Sequence, residues 1–107
     1  MTYTVVFTPS AELDLLDIFQ FFESEELSDV GASLLCRLES VCEELKTFPE
    51  RGQYLKELER IGVFQYRQVH CDVYRIIYEF AADEVIIHCV LDGRREMTDL
   101  LERRVLR

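Results

Sequence analysis

Tyr3, Val5 and Phe7 alternate with Thr4 and Val6, the period-two pattern of a strand with one side on a core. Thr8-Pro9 ends it: Thr8 can cap a helix whose first position Pro9 tolerates, and Glu12 and Asp14 suit its positive end. The spacing predicts helix one to about Phe22, with Ala11, Leu15, Ile18, Phe19 and Phe22 as its apolar stripe and Asp14, Asp17 and Glu23 off it. Glu23 to Asp29 reads as an acidic turn. Val30, Leu34, Leu38, Val41, Leu45 and Phe48 then mark a second amphipathic helix stopped by Pro49. Two such helices joined by a short turn predict an antiparallel hairpin.

Pro49-Glu50-Arg51-Gly52 reads as a turn and Gln53 to Gly62 as an irregular or partly helical connection. The period then changes. Phe64 to His70, Val73 to Phe80 and Glu84 to Asp92 are rich in β-branched and aromatic residues and lie close together, which predicts a three-strand antiparallel meander. Thr98 can cap a short last helix carrying Leu101 and Val105. The expected fold class is α+β: an N-terminal strand, then a helical hairpin packed on an antiparallel sheet, with a short C-terminal helix.

Composition adds limits. At 107 residues, with 49% hydrophobic and 31% charged residues and few Gly or Pro, the chain is expected to form one domain spanning 1–107. Its start, Met1 to Phe7, lacks the basic and apolar regions of a signal peptide, and no apolar run reaches membrane-spanning length. A cytoplasmic protein without membrane contact is the expectation. Cys36, Cys42, Cys71 and Cys89 form no C-x-x-C pair, and are expected in or near the core rather than as metal or redox ligands. No cofactor is expected.

Charge is uneven. Residues 1–60 hold 13 acids and 5 bases, residues 61–107 hold 8 acids and 7 bases, and every base of the second part is arginine. Arginine is the better fork for carboxylate or phosphate. On the middle strand Tyr74, Ile76, Tyr78 and Phe80 should face the helices and Val73, Arg75, Ile77 and Glu79 the other side. Arg67 is expected on the same open face as Arg75, with Arg94 and Arg95 at the mouth of the last strand. These four arginines are the candidate anion or partner-binding site. The competing reading is that they form ordinary surface pairs with Glu79, Asp92 and Glu96. His88, in an apolar strand, is read as a core or half-buried histidine rather than an acid-base catalyst. No pattern decides whether His70 is exposed, and no acid cluster, phosphate loop or nucleophile elbow is present.

The sequence resembles the RelE/ParE toxin superfamily of type II toxin-antitoxin systems. The resemblance is carried by Tyr3-Thr4-Val5-Val6-Phe7-Thr8-Pro9-Ser10-Ala11-Glu12-Leu13-Asp14-Leu15, Phe48-Pro49-Glu50-Arg51-Gly52, Tyr66-Arg67, Tyr74-Arg75-Ile76-Ile77-Tyr78 and Asp92-Gly93-Arg94-Arg95. It implies a growth-inhibiting, plasmid-stabilising toxin neutralised by a cognate antitoxin. The ParE branch, which resembles this chain more closely, implies a binding protein that blocks DNA gyrase.

The RelE branch implies an enzyme that cleaves mRNA on the ribosome, with Arg67, Arg75 and Arg95 at or near its basic positions. Against it stand the absence of lysine after Lys56, Leu101 in place of an expected tyrosine, and a net charge of −9, which disfavours rRNA and free DNA alike. A third reading is a non-toxic member that only binds its antitoxin.

Overall fold

Thr8 both ends a strand and opens a helix. Its extended backbone lets Oγ1 accept from the Ala11 N–H while Pro9 occupies the first turn, so one orphan amide is satisfied and the missing proline N–H is harmless. The computed structural model describes residues 2–106. Met1 and Arg107, part of the chain start and of the arginine excess, lie outside them. The elements are β1 (Thr4–Phe7), α1 (Pro9–Ser24), α2 (Ser28–Glu44), a 3-10 turn (Pro49–Arg51), β2 (Gln53–Tyr54), α3 (Lys56–Glu59), β3 (Arg67–Cys71), β4 (Tyr74–Ala81), β5 (Glu84–Asp92) and α4 (Thr98–Val105). The α+β architecture, with hairpin, meander and last helix, is as the sequence pattern predicts.

The strands make one sheet in the order β1-β5-β4-β3-β2. All neighbours are antiparallel except β1, which lies parallel to β5. A parallel neighbour needs a long crossover, and the helical hairpin together with the meander supplies it.

Two cores form, not one. The hairpin packs Ala11, Leu34, Leu38 and Leu45 against Ile76, Tyr78, Val85, Ile87 and Val90. On the opposite face, Leu55, Leu58, Met97, Leu100 and Leu101 cover Ile77, Cys89 and Leu91. The face expected to be open is therefore largely roofed by α3 and α4. Strand β5 serves both cores through a bulge. Ile87 lies opposite Tyr78 and Cys89 opposite Ile77, so His88 is the extra residue, and the hairpin-facing phase switches from Val85 and Ile87 to Val90, leaving Cys89 and Leu91 to the second core.

Several boundaries move. Helix α1 continues past Phe22 to Ser24, and the turn contracts around Glu26, at φ 59°. Helix α2 ends at Glu44, well before Pro49, so Phe48 lies outside it and is exposed; Val30, expected on the inner stripe, is exposed as well. Thr98 lies within α4 instead of capping it. The cap residue is Met97, and the Glu96 carboxylate accepts the Thr98 N–H at 3.0 Å.

The connection after Pro49 closes on Tyr78. Gly52 donates its N–H to Tyr78 Oη at 2.9 Å, and that hydroxyl donates to the Pro49 carbonyl at 2.6 Å. A Cβ at residue 52 would stand 2.5 Å from Tyr78 Oη, so the approach requires glycine.

Candidate functional site

Arg75 rises from β4 on the side of the second core. Its Nη1 and Nη2 donate to the two Glu57 oxygens at 3.0 Å each, and Nε donates to Gln68 Oε1. The residue is only 8% exposed, and those hydrogen bonds hold the Glu57 carboxyl below the usual carboxylate range. The pair is a fork on a carboxylate, delivered by the short helix α3 from a stretch without strong periodicity. Its positive charge is already matched within the chain.

Arg67 does not join it. In the β3–β4 register Arg67 lies opposite Tyr78 while His70 lies opposite Arg75; cross-strand partners share a face, and positions three apart do not. Arg67 thus sits on the hairpin side of the sheet. Its guanidinium lies 4.5 Å from the Tyr54 ring centre and 5.7 Å from that of Phe80. It donates to the carbonyls of Gly52 at 3.0 Å and Glu50 at 3.3 Å, and to Tyr54 Oη at 3.2 Å.

Arg94 and Arg95 lie at the far end of the sheet. Arg94 grips Asp92 through its backbone N–H, Nε and Nη2, pulling that carboxyl down to about 2. Both arginines are exposed and line a groove of about 550 Å³ with Ile18, Phe21, Phe22 and Tyr74, the acids Asp14 and Asp17, and Arg37. The expected convergence of Arg67, Arg75, Arg94 and Arg95 on one surface does not occur. Arg75 is inside, Arg67 lies at one end of the strands, and Arg94 and Arg95 lie at the other. Of the surface pairs expected as the alternative, Arg94–Asp92 forms, whereas Glu79 takes His88 and Glu96 caps α4.

His88 is half-buried, as its apolar strand suggested. Its Nε2 lies 2.7 Å from Glu79 Oε1, and its ring meets Tyr66 edge-on at 5.4 Å. Tyr66 donates to the Val105 carbonyl at 3.0 Å, and burial pushes its phenol up. His70 is exposed. Cys42, Cys71 and Cys89 are buried as expected and Cys36 is not; burial pushes Cys42 up to about 12 and Cys89 to about 11, so neither is a thiolate at neutral pH. Among the described residues no group of three or more His, Cys, Asp or Glu could hold a metal, and no helix is long and apolar enough to cross a membrane.

One pairing escaped the sequence reading. Asp14 accepts the Val90 N–H at 2.9 Å and receives both Arg104 nitrogens at 3.1 and 2.9 Å. The signal was available: Asp14 lies three residues after Ala11 and four before Ile18, which puts it on the inward stripe.

The family model for the ParE toxin of type II toxin-antitoxin system, parDE, matches residues 5–97. Among solved structures, the chain is similar to one of the chromosomal ParDE toxin-antitoxin system from P. aeruginosa, with a TM-score of 0.68 at 12% identity over 83% of this chain and 94% of that one. It is also similar to one of the toxin-antitoxin complex RelBE2 from Mycobacterium tuberculosis, with a TM-score of 0.60 at 22% identity over 86% and 92% of the two chains. No curated protein matches the sequence. The matched span runs from the first strand to the start of the last helix, and the chain belongs to the ParE toxin family of type II toxin-antitoxin systems, within the RelE/ParE superfamily.

Proposed function

We propose that this chain arrests growth by binding DNA gyrase, and that a cognate antitoxin neutralises it. The observation that carries the choice of a binding protein over a ribonuclease is the state of Arg75. Cleavage of RNA by its own 2′-OH needs positive charge on the scissile phosphate and groups that move protons. Arg75, the strand arginine that would supply the charge, is buried and bonded to both oxygens of Glu57; clamping a phosphate would strand that carboxylate. The net charge of −9 also opposes approach to rRNA or free DNA. A protein target demands neither a phosphate clamp nor a proton relay.

The reading assigns partner contact to the exposed arginines, Arg94 and Arg95 at one end and Arg67 at the other, and gives Arg75 a positioning role. Similarity to structures of ParDE and RelBE2 systems supports an antitoxin as the second partner. A gyrase target puts the protein in the cytoplasm.

The test is purified chain added to gyrase in a supercoiling assay, beside induced expression in a sensitive host. Inhibited supercoiling, DNA breaks and an SOS response are expected. Cleaved mRNA in the ribosomal A site with untouched gyrase would establish the ribonuclease instead, and normal growth would leave an antitoxin-binding role alone.

A further inference from the structure

The chain places a cation that it does not neutralise on an aromatic shelf. Arg37, Arg51, Arg75, Arg94 and Arg104 each hold a carboxylate. Among the described residues Arg67 has no such partner within 4.0 Å. Its acceptors are two carbonyls and a phenol, which orient it without cancelling its charge. Three hydrogen bonds leave at least two of the five guanidinium N–H groups for a partner.

The surroundings are apolar and open. Tyr54 and Phe80 flank the guanidinium, and Phe64 meets Tyr54 edge-on at 5.5 Å while Tyr3 meets Phe80 edge-on at 5.9 Å, so the aromatic surface extends outward from both flanking rings. Phe64 is 53% and Tyr54 38% exposed. Tyr54 lies on β2, the last strand of the sheet, which pairs with β3 alone, so its outer backbone edge faces no strand. Rigid aromatic side chains beside a preoriented arginine are the usual makeup of a binding hot spot, and a free sheet edge is where an extended segment adds.

We propose that this shelf is the docking site for the toxin's protein target: an extended, acidic segment runs along β2, sets one carboxylate on Arg67, and lays apolar side chains on Tyr54 and Phe64. Charge complementarity selects the occupant. An uncompensated arginine among exposed rings attracts an acid, and the chain's net charge of −9 favours a protein over a polyanionic nucleic acid. The inference deepens the gyrase-binding reading and rests on its premise of a target-binding toxin. It is separable from the identity of the target.

Phe64→Ser and Arg67→Gln are the variants; the first removes only an exposed ring, so its thermal transition should stay within a few degrees of wild type. With purified gyrase holoenzyme, each variant should need at least tenfold more protein than wild type for equal inhibition of supercoiling. Unchanged inhibition by a folded Phe64→Ser protein overturns the proposal. If wild type leaves gyrase untouched, the gyrase reading fails and growth arrest under titrated expression decides the shelf: arrest by wild type but not by the variants supports it, and equal arrest overturns it. A wild-type chain that arrests nothing overturns both. Binding of labelled single-stranded RNA by wild type, lost in Phe64→Ser, would assign the shelf to nucleic acid and overturn the protein occupant.

Discussion

Arg104 near the chain's end hydrogen-bonds both carboxylate oxygens of Asp14 on the first helix, 90 residues earlier, at 3.1 and 2.9 Å. The pair spans from the hairpin layer to the opposite layer around the outer edge of β5. There β1 covers only Glu84 to Ile87, so β5 beyond it lacks a neighbouring strand. Side chains satisfy that edge instead: Asp14 takes the Val90 N–H, and Arg104 and Thr8 reach the His88 carbonyl. Asp14→Asn should cost about 2 kcal/mol, below the roughly 3 to 5 kcal/mol of a broken buried pair, because an amide oxygen can still accept from Val90. A chemical denaturation midpoint unchanged from wild type would show that the pair does not tie the layers.

Arg75 and Arg95 should behave in opposite ways. Removing Arg75 strands a partly buried Glu57 and unbinds Gln68, so Arg75→Ala is expected to lose roughly 3 kcal/mol of stability. Arg95→Ala touches an exposed side chain and should melt within a few degrees of wild type while weakening growth arrest. Thermal melts of the two variants side by side check this, and equal melting temperatures would refute the division into positioning and contacting arginines.

The same pair predicts acid sensitivity. Because Glu57 titrates below its ordinary value of 4.5 in the folded chain, its stabilising effect is complete above the unfolded value and fades as pH falls through the folded one. The stability gap between wild type and Glu57→Gln should therefore narrow as pH drops from about 5 toward 3. Urea titrations at each pH measure it; a gap independent of pH would mean that ionised Glu57 contributes nothing.

Gly52→Ala should be among the most damaging of small substitutions. Its Cβ would press on Tyr78 Oη at 2.5 Å and on the Gln68 carbonyl at 2.7 Å, and neither a buried phenol nor a strand backbone yields easily. A loss of at least about 2 kcal/mol is expected. Tyr78→Phe keeps the ring but unbinds Pro49 and Gly52, for about 1 to 3 kcal/mol. Amide hydrogen exchange at Gly52 should accelerate in Tyr78→Phe, and unaltered protection there would count against the bridge.

The antitoxin tail should carry mixed charge, with bases toward the acidic hairpin and acids toward the exposed arginines. Such complementarity weakens with salt while apolar contacts persist. The dissociation constant of the complex should rise between about 0.05 and 0.5 M salt without binding being abolished. A flat response would remove charge from partner selection.

What the sequence made legible was whatever repeats. The stripe of Ala11, Leu15, Ile18 and Phe22 and the alternation of Ile76, Tyr78 and Phe80 announce the hairpin and its sheet, and Thr8-Pro9 announces the junction. The four residues of α3 and the two of β2 are too few for a period to show, so the roof over Arg75 and the shelf beside Arg67 stayed hidden. The arginines were readable as residues but not as a site. Their arrangement depends on register: Arg67 faces the hairpin because it stands opposite Tyr78, and a lone strand does not reveal its partner.

The extra residue at His88 gives strand β5 a property of its own. Substituting an apolar residue there alters one core at one place. Deleting His88 would remove the bulge and leave plain alternation, with Val90 still toward the hairpin and Leu91 still toward the last helix, whereas inserting a second extra residue with the bulge kept would turn every later side chain over. The stretch can thus lose one residue without exchanging the two layers, but with its bulge in place it cannot gain one.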